Sequence, residues 1–227
     1  MVTPAVRWVL YACRTPYAAE VAEVIWRRGH TIAVLVDNHP AGHLPTGLGP
    51  VVTPDEIDAE LLTWPVAIPL LTPGHRHAVE QEARSRGFTR FPPLVDPTSV
   101  IARTSHLGEG TVINGQAIVA ATSTLGRFVH VNRSASVGHD ADIADFATLG
   151  PGCILAGHVT LGPGAFVGAG AVLAPKVTIG ADAVVGAGAV VVKDVAAGEV
   201  VVGNPATVLR SGPGYGGVGV PLDADNP

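Results

Sequence analysis

Charge is scarce in this chain of 227 residues. Only 15% of its residues are Asp, Glu, Lys or Arg, and the formal net charge is −5. A weakly acidic chain offers no basic surface for the phosphate backbone of a nucleic acid, so nucleic-acid binding is excluded.

The chain has only two cysteines. Cys13 and Cys153 cannot make a disulfide framework, and we interpret both as core thiols.

Long hydrophobic runs are also missing. Although 47% of the residues are hydrophobic, no stretch approaches the ~18 uninterrupted apolar residues of a membrane helix. The first eleven residues lack the charged-then-apolar layout of a signal peptide. The sequence therefore predicts a chain without a membrane partner, located in the cytoplasm.

The dominant feature is a period of six residues that runs without insertion from Val95 to Val191. All seventeen residues in this register, here called anchors, are aliphatic, and a small or β-compatible residue follows each of them four positions later. A period of six fits neither the 3.6 of a helix nor the two of a strand. It predicts a parallel β-helix with three sides and about eighteen residues per coil.

Glycine follows the anchor in eight of the seventeen hexads, for example at Gly108, Gly138 and Gly186. We expect these glycines to supply backbone conformations that a Cβ disfavours at the corners.

The region before the repeat has a different pattern. Strands predicted at 6–12 and 31–36 enclose a helix at 17–28, which makes a βαβ unit. A short acidic helix at 55–62, a strand at 66–71 and a helix at 73–86 are predicted to follow. We therefore expect a Rossmann-like α/β domain at 1–92, a β-helix at 93–196, a C-terminal segment at 197–210 and a flexible tail at 211–227.

The unbroken hexapeptide run, which ends in the segment Val202 to Ala206, resembles the left-handed β-helix acyltransferases. With the βαβ domain in front, residues 5–210 resemble bacterial sugar acyltransferases of the bacillosamine N-acetyltransferase and sialic acid O-acetyltransferase type. The resemblance implies a left-handed β-helix, a homotrimer, acetyl-CoA as cosubstrate, and transfer of acetyl to an amino sugar that carries a nucleotide.

Acyl transfer needs a base near neutral pKa, and histidine suits that role. Among the histidines of the repeat, His139 is followed by Asp140 and preceded by Asn132 seven residues earlier, which matches the active-site stretch of the family. The resemblance makes His139 the general base, Asp140 the carboxylate that orients it, and Asn132 a residue near the acceptor. Asp140 also lies one coil, or eighteen residues, before His158, so either histidine could be its partner.

The same resemblance assigns four cofactor contacts. Gly157 lies one coil after His139, where the family places the backbone amide that binds the acetyl carbonyl. Ala169, Gly186 and Ala187 match positions that line the groove for CoA.

Two departures from the family concern the acceptor. Some relatives carry a second functional histidine where this chain has Thr148. The loop after the first strand should be rich in glycine to hold a diphosphate, but residues 12–17 contain none, and Pro16 removes an amide donor. We expect Arg14 to be a substitute phosphate contact. Asp37 keeps the family pattern, and the resemblance implies that it contacts the nucleoside end.

Three other interpretations remain open. A γ-class carbonic anhydrase would need a histidine pair five residues apart, which the repeat lacks, so no metal is predicted. A non-catalytic binding or scaffold protein is compatible with the altered loop. An O-acetyltransferase is the third, because the same base serves a hydroxyl or an amine.

Overall fold

The computed structural model describes residues 5–39 and 44–212. The N-terminal domain holds a parallel sheet of four strands, which lie side by side in the order Val51–Val52, Thr31–Val36, Arg7–Tyr11 and Val66–Ala67. One helix provides the crossover between the first two strands of the chain, which pair in parallel as a βαβ unit requires. The elements are β1 (Arg7–Tyr11), α1 (Tyr17–Arg27), β2 (Thr31–Val36), β3 (Val51–Val52), β4 (Val66–Ala67) and α2 (Pro73–Ser85).

Two predicted elements in this domain are shorter than expected. The acidic helix at 55–62 is wrong: the chain makes only two 3₁₀ turns, Pro54–Glu56 and Leu61–Thr63. Between them Ile57 is extended, and of the residues in both turns only Leu61 is buried, so a full helix would have little apolar surface to bury. The strand predicted at 66–71 pairs only over Val66–Ala67, because Pro69 has no N–H for a ladder.

The repeat forms a parallel β-helix whose three flat sides we call faces one, two and three. Each side of each coil is a strand of two residues. Face one contains β5 (Leu94–Val95), β8 (Val112–Ile113), β11 (His130–Val131), β14 (Thr148–Leu149), β17 (Phe166–Val167) and β20 (Val184–Val185). Face two contains β6 (Val100–Ile101), β9 (Ile118–Val119), β12 (Ser136–Val137), β15 (Ile154–Leu155), β18 (Val172–Leu173) and β21 (Val190–Val191). Face three contains β7 (His106–Leu107), β10 (Thr124–Leu125), β13 (Asp142–Ile143), β16 (Thr160–Leu161) and β19 (Thr178–Ile179).

The stacking register is eighteen residues throughout these faces. Val131, for example, pairs with Ile113 on one side and with Leu149 on the other. The anchors point into the shaft and are buried from Ile113 onward, whereas the first three, Val95, Ile101 and Leu107, are only partly buried. The small residues four positions later, including Cys153, fill the space between anchors.

Glycines after the anchors are needed for a different reason from the one expected. Left-handed backbone occurs three residues after the anchor, and it is adopted there by side chains as large as those of Phe128 and Lys176. At Gly138 the problem is space: an added Cβ would lie 2.5 Å from the backbone of Ala156 in the next coil. Close contact between coils therefore requires glycine at this position.

The N-terminal domain packs on face one and on the corner between faces three and one. Phe128 and Phe146 project from that corner and stack with ring centroids 5.4 Å apart, and both belong to the core cluster of the N-terminal domain. Arg76 of α2 is fully buried beneath them. Its guanidinium donates to the carbonyl oxygens of Phe128 and Phe146 and to Oγ1 of Thr148.

The shaft ends in an antiparallel hairpin of β22 (Glu199–Gly203) and β23 (Ala206–Ser211), and β22 continues face one. The tail predicted from residue 211 thus begins inside a strand, and residues 213–227 lie outside the described residues. None of the described helices is long and apolar enough to cross a membrane.

Candidate active site

His139, Asp140 and Gly157 lie at one place on the shaft, the corner between faces two and three. We call this the second corner; the first corner joins faces one and two. His139 Nδ1 lies 2.6 Å from Asp140 Oδ2, whereas Nε2 of His158 lies 3.8 Å from the same oxygen. The stronger pair is therefore His139–Asp140. The sequence alone had left the two partners equal.

Asp140 has a further partner that sequence reasoning missed. Thr122 Oγ1 donates to Asp140 Oδ1 at 2.5 Å. This hydrogen bond, and then the one with His139, lowers the pKa of Asp140, so the carboxylate is ionised at neutral pH. The signal was present in the sequence, because Thr122 precedes Asp140 by one coil of eighteen residues.

Gly157 lies directly against the imidazole of His139. A Cβ at this position would be 2.5 Å from His139 Nε2, so only glycine lets the ring occupy its place. The amide N–H of Gly157 donates to no group in the described part of the chain. Nε2 of His139 therefore lies beside the backbone of Gly157, whose N–H is an available donor.

His158 completes the cluster. Its ring meets that of His139 edge to face at 5.1 Å, and its backbone N–H donates to the His139 carbonyl. Ligand atoms of His139, Asp140 and His158 all lie within 4.8 Å of one another, a spacing that a divalent ion could bridge. All three side chains are exposed.

The residues assigned to the cofactor groove lie apart from this cluster. Ala169, Gly186 and Ala187 are on the first corner, where coils approach closely: a Cβ on Gly168 would be 2.5 Å from the backbone nitrogen of Ala187. Ala169 and Ala187 are exposed there. Within a single chain, these residues and His139 occupy opposite edges of face two.

Asn132 is likewise on the first corner and is buried. Its Oδ1 accepts hydrogen bonds from the Arg133 N–H at 2.8 Å and from Asn114 Nδ2 at 3.3 Å. It makes no hydrogen bond to His139 among the described residues. Asn114, which the sequence analysis did not single out, precedes Asn132 by one coil.

Thr148 has a structural role in place of the relatives' histidine. It is buried, and its Oγ1 donates to the carbonyl of Leu71 at 2.7 Å while it accepts from Arg76. These bonds join α2 to face one, so this position belongs to the contact between domains.

Polar groups of the loop at 12–17 already have partners within the N-terminal domain. Just before α1, the Thr15 side chain accepts a hydrogen bond from the Tyr17 N–H, and its carbonyl accepts one from the Ala18 N–H. Arg14 makes a bidentate ion pair with Asp37, with both N–O distances at 2.7 Å. The two residues expected at opposite ends of a nucleotide are therefore in contact with each other.

Comparisons with known proteins agree with this architecture. The profile of the bacterial transferase hexapeptide (six repeats) family matches residues 158–193. No curated protein matches the chain by sequence. A variant of perosamine N-acetyltransferase from Caulobacter crescentus, in complex with CoA and GDP-perosamine, is 30% identical with a TM-score of 0.79 over 92% of this chain and 98% of that one.

The acetyltransferase domain of PglB from Neisseria gonorrhoeae, in complex with acetyl coenzyme A, is 26% identical with a TM-score of 0.81 over 91% of this chain and 100% of that one. These matches confirm the predicted fold class, an α/β domain followed by a left-handed parallel β-helix. They also confirm the resemblance on which the predicted enzyme class rested. The chain belongs to the hexapeptide-repeat sugar acyltransferases.

Proposed function

We propose that this protein transfers an acetyl group from acetyl-CoA to the amine of a nucleotide-linked amino sugar, with His139 as general base. One observation carries the proposal: the imidazole of His139, paired with Asp140, lies against the backbone of Gly157, whose N–H donates to no group among the described residues. The similar structures described as complexes with CoA and GDP-perosamine, or with acetyl coenzyme A, support both substrates.

The geometry suits a general-base mechanism. Asp140 is ionised and accepts the Nδ1 proton of His139, which leaves Nε2 as the proton acceptor. Nε2 takes a proton from the acceptor amine as the new N–C bond forms at the thioester carbon. The N–H of Gly157 stabilises the resulting oxyanion. The C–S bond then breaks, and CoA leaves as the thiolate or, after taking the proton from His139, as the thiol.

The separation between the residues assigned to the cofactor and the assigned base supports a site that two chains share. Asn132, Ala169, Gly186 and Ala187 lie on the first corner, and His139 lies on the second. The side chains of Val100, Ile118 and Ile154 are exposed on face two between these corners, with relative exposures of 63%, 45% and 48%. We propose a homotrimer in which face two is covered and the first corner of one copy meets the second corner of its neighbour.

The acceptor domain would bind the nucleotide through Arg14 and Asp37. The Arg14 guanidinium lies at the end of the first strand, where phosphate binds in α/β domains. Asp37 holds its Nε and one terminal nitrogen, which orients the guanidinium toward a diphosphate. In this proposal the ion pair replaces the backbone amides of a glycine-rich loop, and Asp37 is also the contact to the nucleoside.

The test is a thiol-release assay with acetyl-CoA against UDP-, GDP- and dTDP-linked amino sugars, their hydroxyl counterparts and free amino sugars. We expect turnover with a nucleotide-linked amine and no effect of EDTA. Turnover only with free sugars would contradict the nucleotide assignment, and turnover with hydroxyl acceptors would make the enzyme an O-acetyltransferase. No turnover with any acceptor would favour a binding protein.

The role of His139 is tested in the same assay. His139→Ala should lower kcat by about 10²- to 10⁴-fold and leave the fold intact, because the side chain is 60% exposed. His158→Ala is the matched control, since its ring is on the same corner but farther from Asp140. Should His158→Ala abolish turnover while His139→Ala spares it, the base is His158.

A further inference from the structure

Three buried polar side chains connect the start of α1 to Asn132. Tyr17, Asn114 and Asn132 are at most 7% exposed. Asn114 Nδ2 donates to Tyr17 Oη at 2.6 Å and to Asn132 Oδ1 at 3.3 Å. Tyr17 is the first residue of α1 and directly follows the loop at 12–16. The connection therefore runs from the loop of the acceptor domain to the first corner of the shaft.

Hydrogen-bond donors determine how the carboxamides of Asn114 and Asn132 are oriented. The backbone N–H of Arg133 donates to Asn132 Oδ1 at 2.8 Å, so the oxygen of Asn132 faces inward. A second oxygen opposite it would be repelled, so Asn114 must turn its NH2 group toward Asn132. This orientation leaves Asn114 Oδ1 buried without a hydrogen-bond partner. Both orientations thus follow from one backbone amide.

The NH2 group of Asn132 is left unused by this arrangement. Within the described residues it makes no hydrogen bond, whereas Oδ1 has two donors. A carboxamide held in this way offers donors, and no acceptor, to a ligand. It would bind an oxygen of the sugar, such as a hydroxyl beside the amine, in preference to the amine's own N–H groups.

The two rings at this end of the connection, those of Tyr17 and His130, are both uncharged at neutral pH. His130 packs against Tyr17 with ring centroids 5.6 Å apart and is fully buried. Burial, and then the nearby Arg76, lowers the pKa of His130 well below its usual value, so its ring is neutral. Burial also raises the pKa of Tyr17, which stays a phenol.

We propose that Tyr17 and Asn114 are positioning residues that hold Asn132 with its NH2 group toward an oxygen of the acceptor sugar. This inference rests on the proposed function, because it takes Asn132 as an acceptor contact. It deepens that function by naming the group recognised. It also gives Tyr17 a role beyond filling space at the start of α1.

The test compares Tyr17→Phe with Tyr11→Phe. Tyr11 also loses one phenolic hydrogen bond in the same domain, to Glu82 at 2.9 Å, but does not contact Asn114. Tyr17→Phe should raise the KM for the acceptor, and its Kd by titration calorimetry without acetyl-CoA, by about five- to tenfold. The KM for acetyl-CoA should not change, and Tyr11→Phe should change neither constant. A Tyr17→Phe enzyme with unaltered acceptor constants, or with both KM values raised equally, would overturn the positioning role.

A second measurement separates this inference from the proposed function. The chain has five asparagines, so selective ¹⁵N-asparagine labelling yields five pairs of side-chain amide signals. Asn114 NH2 exchange should accelerate in Tyr17→Phe, and the Asn132 signal should shift, even if the protein acetylates nothing. Unchanged signals for both residues would refute the connection. Absence of turnover with shifted signals would refute only the transferase assignment.

Discussion

At the scale of single residues, the position of the His139 imidazole depends on the absence of a side chain at Gly157 in the next coil. A Cβ on Gly157 would lie 2.5 Å from Nε2 of His139, so Gly157→Ala must push the imidazole away. A displacement of about 1 Å at a reacting group costs up to about a hundredfold in rate. We expect Gly157→Ala to lower kcat by about 10- to 100-fold without removing the N–H donor.

A double-mutant cycle checks this cause. In a His139→Ala background the ring is gone, and Gly157→Ala should have no further effect on kcat. If the two losses multiply, the methyl group acts on the cofactor rather than on His139.

A separate prediction at this scale concerns the reactivity of the two thiols. Burial raises the pKa of Cys13 to about 11 and that of Cys153 to about 12. A raised thiol pKa means less thiolate, so at pH 8 only about one Cys13 in a thousand is ionised. Neither thiol of the folded protein should react with Ellman's reagent at pH 8, and both should react after denaturation. Rapid labelling in the native protein would show that one core thiol is accessible.

At the scale of elements, the buried cation of Arg76 is one of the contacts that join α2 to the shaft. Burial lowers the pKa of Arg76 to about 9, which still leaves it charged at neutral pH. Its guanidinium donates to carbonyls of two coils and of the segment before α2. Arg76→Met would leave these carbonyls without a donor, and we expect a loss of about 3–5 kcal/mol in the free energy of unfolding.

Arg76→Lys should not restore that stability, because an ammonium cannot reproduce the planar set of donors. Urea denaturation of the three proteins measures both effects. A matched control is Arg86→Met, which removes an exposed arginine from the end of the same helix and should cost less than about 1 kcal/mol. Equal losses for the two methionine variants would contradict the importance of Arg76.

At the scale of the whole molecule, we expect face two to determine assembly. We expect light scattering to give about three times the chain mass of 23.1 kDa. Ile154→Arg places a charge in the middle of the exposed apolar face and should produce a monomer that has lost turnover, because the two corners no longer meet. Leu209→Arg is the control: its side chain is 64% exposed on β23, away from face two. A wild-type chain that is monomeric at micromolar concentration would refute the shared site.

Much of the site could be read from the sequence because the repeat converts spacing into proximity. A residue and its neighbour eighteen positions later must stack, so the contacts of His139 with Gly157 and of Asp140 with His158 followed from counting. Thr122 could have been found in the same way. The β-helix was predictable for the same reason, because an uninterrupted period of six is compatible with few other folds. The family followed from the resemblance of the βαβ domain and of the stretch from Asn132 to Asp140.

The tertiary structure decided what no period specifies. Asp140 has two histidines within one coil, and only the side-chain rotamers select His139 at 2.6 Å over His158 at 3.8 Å. Tyr17 and Asn114 are 97 residues apart and meet because the N-terminal domain docks on face one. Arg76 contacts the shaft for the same reason. Contacts between neighbouring coils follow from the repeat. Contacts between the domains depend on how two separate surfaces pack, and the spacing of residues along the chain does not specify that packing.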